Sequence, residues 1–175
     1  MLIEDFMTQE FPENELKKEP TPRIVVIGVG NLLLKDEGIG IHTVKALQEI
    51  NLPRDIKIID GGTAPDLIAY TQAGDKLIII DAAKAGGEPG TIYRLQPQDL
   101  ATDDGIISVH ELGVEQNLRL MSLMGNEPGE IVIIGVEPKE IGWRTELSPE
   151  LQPVIPEIIK VILKEIGRDE PKTQD

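Results

Sequence analysis

Four side chains able to hold or polarise a ligand stand at or just beyond apolar runs of this chain: Glu37, Asp60, Asp81 and His110. They are oxygen and nitrogen donors, and the same groups move protons in acid–base catalysis. Each has a plainer reading. Asp60 precedes Gly61-Gly62-Thr63 and is equally suited to stabilising a turn. Asp81 follows Leu77-Ile78-Ile79-Ile80, beside a dry sheet where a carboxylate needs a partner, although a backbone N–H would suffice. His110 opens a helical pattern, where the positive end of the helix dipole disfavours imidazolium and leaves a neutral ring able to ligate a metal. It could equally just decorate the helix start. Asp36 is better explained as the N-cap of the following helix than as a catalytic acid. His42 falls on a polar helix face and reads as solvated.

Alternating apolar segments must position these groups. Arg23–Val29, Ile56–Asp60, Lys76–Asp81 and Glu130–Val136 are apolar runs of the kind found in strands buried on both faces. Thr91–Leu95 alternates after a Gly-Pro turn and reads as an antiparallel edge strand. Helical spacing recurs between them. Gly38–Ile50 has Ile39, Val44, Leu47 and Ile50 on one face, with His42, Lys45 and Glu49 outward. Pro65–Gln72 is a short helix with proline in its first turn. Ser108-Val109-His110-Glu111 has capping-box spacing and opens a segment through Leu112, Leu118 and Leu120 to Met124, closed by Gly125. Leu151–Gly167 is a last amphipathic helix entered through Pro153 and Pro156. Strand and helix in alternation predict an α/β three-layer sandwich, a mostly parallel twisted sheet of about five strands with helices on both faces. Ligands in such sheets bind beyond the carboxyl ends of the strands. Residues 1–22 read as an acidic, disordered tail, 23–167 as one domain, and 168–175 as a second tail.

Composition excludes several functions. With 31 acidic against 17 basic residues, the net charge of −14 argues against gripping nucleic acid or an anionic membrane. The absence of cysteine removes disulfides, thiolate-bound zinc and a thiol nucleophile. Aromatics are so few that isoleucine, leucine and valine must build the core. The first residues lack the basic start and apolar run of a signal peptide, and no apolar run spans a bilayer, so the reading is cytoplasmic. Gly28-Val29-Gly30-Asn31 resembles the start of a dinucleotide fingerprint, but Leu33 replaces the third glycine. Neither a Gly-Lys-Ser/Thr element nor Gly-x-Ser-x-Gly occurs.

Taken together, these motifs resemble the hydrogenase maturation endopeptidases. Gly28-Val29-Gly30-Asn31 through Asp36-Glu37-Gly38-Ile39-Gly40 is similar to the family's opening signature. Asp60-Gly61-Gly62-Thr63, Asp81-Ala82 with Pro89-Gly90-Thr91, Ser108-Val109-His110-Glu111-Leu112-Gly113, and Gly135-Val136-Glu137-Pro138 with Leu147-Ser148-Pro149 follow in order. The resemblance implies Glu37, Asp81 and His110 as both metal-binding and catalytic residues, with Asp60, Gly61 and Gly62 near the site as supporting or substrate-binding groups. It implies a peptidase, grouped with aspartic or metal-dependent peptidases, that removes the C-terminal extension of a nickel–iron hydrogenase large-subunit precursor. Two carboxylates and an imidazole suit nickel, and three protein ligands leave positions open. The expectation is that nickel arrives within the precursor. The glycine loops at Gly28–Gly30 and Gly61–Gly62 would then let a substrate tail approach the backbone. Two other functions compete. One is a non-catalytic chaperone that binds nickel or the precursor, and the other is a small nucleotide-binding domain.

Overall fold

The computed structural model describes residues 23–101, 107–108 and 111–167, with side chains described for all of these except 100–101, 107–108 and 111–112. Both terminal tails, Val109 and His110 lie outside the described residues. In chain order the elements are β1 (Ile24–Val29), α1 (Ile39–Gln48), β2 (Ile56–Gly62), α2 (Leu67–Tyr70), β3 (Lys76–Lys84), β4 (Ile92–Leu95), β5 (Ile107–Ser108), α3 (Glu111–Leu123), β6 (Glu130–Val136) and α4 (Ile155–Glu165). Tight 3-10 turns over Lys35–Gly38 and Gln152–Val154 lead into α1 and α4.

The sheet runs β2-β1-β3-β6-β4, and the short β5 pairs with β3 off that path. β1 is parallel to β2 and β3, and β3 is parallel to β6. β4 runs antiparallel on β6, as its alternating pattern predicts. Two strands outrun their sequence-based ends. β2 continues past Asp60 to Gly62. β3 continues past Asp81 to Lys84 because β6 pairs with it as far as Ala82, and β5 takes up Ala83 and Lys84. Neither carboxylate therefore terminates its strand.

Two cores lie on opposite faces of the sheet, as the twofold alternation of strand side chains requires. Val26, Ile78, Ile80, Val132 and Ile134 pack with Ile39, Val44 and Leu47 of α1 and with Ile158 and Ile162 of α4. Val25, Ile27, Leu77, Ile79 and Ile133 pack with Leu67 of α2 and with Val114 and Met121 of α3. The buried face of α1 carries Ile39, Val44 and Leu47 as its periodicity predicts, whereas α4 begins only at Ile155 because a 3-10 turn takes up Gln152–Val154 of the predicted Leu151–Gly167 helix. In α3 the inward face is set by Val114, Leu118 and Met121, whereas Leu120, predicted to face inward, is half exposed. The spacing 114, 118, 121 carries the stripe one position away from Leu120.

At the amino end of the sheet, Arg23 and Asp75 tie the start of β1 to the turn before β3. Asp75 is buried and accepts from Arg23 Nη2 at 2.8 Å, Arg23 Nε at 3.3 Å, and the Arg23 and Gln72 amides at 3.2 and 2.8 Å. Burial alone would raise the Asp75 carboxyl, but the bonds from Arg23 and the two amides outweigh it and hold it below the ordinary aspartate value. At the same edge Glu165 near the end of α4 pairs with Arg94 and with Lys76, which itself reaches Glu130.

Because the folded Asp75 titrates below the unfolded one, its contribution is complete above the unfolded value of about 3.9 and disappears as pH falls through the lower folded value. Asp75→Asn is expected to cost about 1–2 kcal/mol at neutral pH, toward the low end for a buried pair because the guanidinium still meets water. Urea titrations should show the difference from wild type shrinking below pH 4, and a difference independent of pH would disprove this assignment.

Candidate active site

Strand order locates the crevice. From β1 the chain crosses to β2 on one side and returns to β3 on the other, so the topological switch lies between β1 and β3. Beyond the carboxyl end of β1 stands the turn bearing Glu37, and Asp81 lies in β3 just past its last residue paired with β1, Ile80 opposite Gly28. The Lys35–Gly38 turn packs against β3. Both side chains are 3% exposed.

Close backbone packing seats the Glu37 turn. Gly30 has φ +146°, and a Cβ there would lie 2.0 Å from the Glu37 carbonyl oxygen. A Cβ on Gly40 would lie 2.3 Å from both the Val29 and the Ile80 carbonyl oxygens. These distances are far inside van der Waals contact, so only glycine allows the start of α1 to lie on β1 and β3. The expectation that Gly28–Gly30 admits a substrate tail is therefore corrected. A Cβ on Gly28 would lie 2.2 Å from the Gly40 carbonyl oxygen, and the protein's own backbone fills that approach. Gly62 differs, with φ +60° and nothing among the described residues within 4 Å of where a Cβ would project.

The two adjacent acids, Asp36 and Glu37, meet opposite surroundings. Asp36 is fully buried, and its carboxylate accepts from the backbone amides of Lys139 at 3.0 Å, Glu140 at 2.9 Å and Ser148 at 2.7 Å. It does not cap α1, which has no side-chain cap bond. The intervening 3-10 turn carries Asp36 away from the α1 amides and toward the 138–148 loop. Glu37 Oε2, by contrast, is buried with no hydrogen-bond partner among the described residues. An unpaired buried carboxylate oxygen is costly and rare.

Asp81 Oδ1 accepts from the Ala82 amide at 2.8 Å, so a backbone N–H does serve that carboxylate. Its register partner on β6 is Gly135, where a Cβ would lie 2.7 Å from that of Ala83, so the glycine admits close side-chain packing there. Asp60 is exposed and accepts from the Gly62 amide at 3.0 Å, in keeping with the turn-stabilising reading. His42 is half-buried and its Nε2 lies 3.0 Å from the Thr145 carbonyl oxygen, so it is not simply solvated. His110 lies outside the described residues. β5 nonetheless brings the chain alongside the end of β3, with Ser108 opposite Ala83, two residues before His110 and two residues beyond Asp81 in sequence. Among the described residues no three acidic or histidine side chains form a metal cradle.

Glu137, which the sequence motifs include without a role, organises the turn after β3. Its Oε2 accepts from the Ala85 and Gly87 amides at 2.8 and 3.3 Å and from the Tyr93 hydroxyl at 2.8 Å. Burial and this bond push the Tyr93 hydroxyl above its ordinary value. The signal was available: Glu137 follows an apolar strand just as Asp81 follows Leu77–Ile80.

Comparison with known proteins identifies what is built on this frame. A family profile for hydrogenase maturation proteases matches residues 41–165. The hydrogenase 2 maturation protease of Escherichia coli strain K12 is 36% identical over 145 residues, covering 81% of this chain and 88% of that protein. Among solved structures, the E. coli hydrogenase maturating endopeptidase HybD superposes with a TM-score of 0.72 at 33% identity, covering 84% of this chain and 95% of that one. A nickel–iron hydrogenase maturation protease, HybD, from Thermococcus kodakarensis gives a TM-score of 0.68 at 27% identity, covering 82% and 98%. A shared fold, a profile over most of the chain and acidic groups gathered at the switch point converge on one assignment: this chain is a peptidase and belongs to the hydrogenase maturation protease family.

Proposed function

We propose that this peptidase removes the C-terminal extension from the large-subunit precursor of a nickel–iron hydrogenase after nickel has been inserted, and that it recognises the nickel carried by that precursor. The observation that supports this reading is Glu37 Oε2, buried at the switch-point crevice and without a hydrogen-bond partner among the described residues. A cation delivered with the substrate would give that oxygen a partner. Asp81, across the β1–β3 crevice, and His110 would complete the protein's share of the coordination. Nickel is thus part of the substrate, and the scissile bond would be positioned only when the ion is present.

The attacking water needs a proton acceptor or a polarising ion. Asp81 would serve as the base, while nickel in the substrate would lower the pKa of bound water. Asp60 would hold the Gly61–Gly62 turn, and the open space at Gly62 offers a substrate tail close approach to the backbone.

Incubation with purified precursor should shorten the nickel-loaded form and leave the nickel-free form intact, as read by mass spectrometry. Equal cleavage of both would remove the ion from recognition, and unchanged mass of a precursor that demonstrably binds would favour a non-catalytic chaperone. Asp81→Asn, Glu37→Gln and His110→Ala should each lower cleavage by at least ~100-fold, the scale of a lost acid–base or metal contact. Their urea midpoints should stay near wild type. Full activity in any of them would exclude that residue from the site.

A further inference from the structure

Asp36 lies one residue before Glu37, yet its bonds all lead elsewhere. The carboxylate gathers three amides from two ends of the 138–148 loop: Lys139 and Glu140 at one oxygen, and Ser148 at the other. Around this centre the loop and the Glu37 turn are laced by backbone bonds. Lys35 N–H donates to the Arg144 carbonyl at 2.8 Å, Arg144 N–H to the Leu33 carbonyl at 3.0 Å, and Asp36 N–H to the Glu140 carbonyl at 3.3 Å. Leu34 and Arg144 form an isolated parallel bridge. The Lys35 ammonium meets the Glu140 carboxylate, and His42 reaches the Thr145 carbonyl. The Ser148 carbonyl accepts from Leu151 and Gln152, so the same lacing passes into the turn before α4.

Most of these outer contacts are exposed or long, whereas the Asp36 carboxylate is fully buried and its bonds are 2.7–3.0 Å. The loop has no strand or helix of its own to fix it. We infer that Asp36 is a positioning residue for the cleavage reaction: it clamps the 138–148 loop onto the Lys35–Gly38 turn and thereby fixes where Glu37 stands. This rests on the endopeptidase reading above. Asp36 touches neither substrate nor ion and acts through Glu37.

Asp36→Asn keeps the volume but replaces one acceptor oxygen with an NH2 group, which then faces backbone donors. At least one clamp bond is lost and a donor–donor clash is created. Trp143, the single tryptophan of the chain, sits on the clamped loop with 82% exposure and reports its mobility. The chain has no cysteine, so Leu34→Cys with Arg144→Cys can staple loop to turn across their bridge without competing thiols.

The experiment measures precursor cleavage and Trp143 fluorescence anisotropy for wild type, Asp36→Asn, and Asp36→Asn carrying the staple. The stapled enzyme is assayed oxidised and freed of oxidant, then reduced. Asp36→Asn should show lower anisotropy and kcat reduced on the order of 100-fold, the cost of an ångström-scale misplacement, with KM within about threefold of wild type. The oxidised staple should restore both, and reduction should abolish the rescue. Asp36→Asn that cleaves like wild type overturns the inference, as does a slow variant that the oxidised staple leaves slow. If Asp36→Asn fails to fold, the oxidised staple must recover fold and cleavage together. Failure there makes Asp36 a residue of the whole fold and overturns its assignment to the site. A wild type that cleaves no precursor would instead sink the endopeptidase reading, and this inference with it.

Discussion

The architecture depends on how closely α1 can lie against the sheet at its first turn. A Cβ at Gly40 would sit within 2.3 Å of carbonyl oxygens on two adjacent strands, and one at Gly28 would collide with Gly40 itself. Removing those methyl groups lets helix backbone touch strand backbone, a contact that ordinary residues prevent. The chain leaving β1 is thereby compressed into the 3-10 turn of Lys35–Gly38, with Lys35 at φ +58°, before α1 begins. That compression turns Asp36 and Glu37 inward and buries two adjacent carboxylates. A looser junction would let the turn swing outward, and both acids would be solvated.

The interior tolerates so many acids because most of them are satisfied. Asp36 and Glu137 each hold loops through backbone amides, and Asp75 holds a guanidinium as well as amides. Charge-assisted bonds of this kind are stronger than neutral ones and compensate desolvation. They also do geometric work at the carboxyl edge of the sheet. Asp36 fixes the 138–148 loop, and Glu137 fixes the 85–87 turn and Tyr93. The walls around the β1–β3 switch point are thus pinned by buried carboxylates, while the opposite edge is pinned by ion pairs among Arg23, Lys76, Arg94 and their acidic partners.

Much of this could be read from the sequence. The apolar runs gave the parallel strands, the alternation at 92–95 gave the antiparallel edge, and the glycine-punctuated order gave the layers. Periodicity failed where its signal is shared by two phases. Leu118 and Leu120 both fit a helical stripe until packing chose Leu118 and Met121. Strand ends failed because β2 and β3 are prolonged by pairing with neighbours that are distant in sequence, β5 above all. The two-residue β5 is too short for any pattern. The Gly28–Gly30 segment was legible as special, but its purpose was not. Whether bare backbone faces a ligand or another stretch of the same chain depends on a contact with Gly40, which spacing alone does not reveal.

The pair Asp36-Glu37 marks the limit of that legibility and also its physical content. Propensity and charge treat the two residues almost alike, and a capping role for the first is the economical reading. Long-range partners separate them: loop residues more than a hundred positions away supply three donors to Asp36, while Glu37 Oε2 has none among the described residues. Stability alone would favour removing such an orphan, since an apolar side chain of similar size in that position would avoid the desolvation cost. Adjacent carboxylates thus meet opposite surroundings among the described residues, one fully bonded to backbone amides and one with an unpaired oxygen. The difference is made by tertiary contacts alone, because the two residues share one turn and one kind of charge.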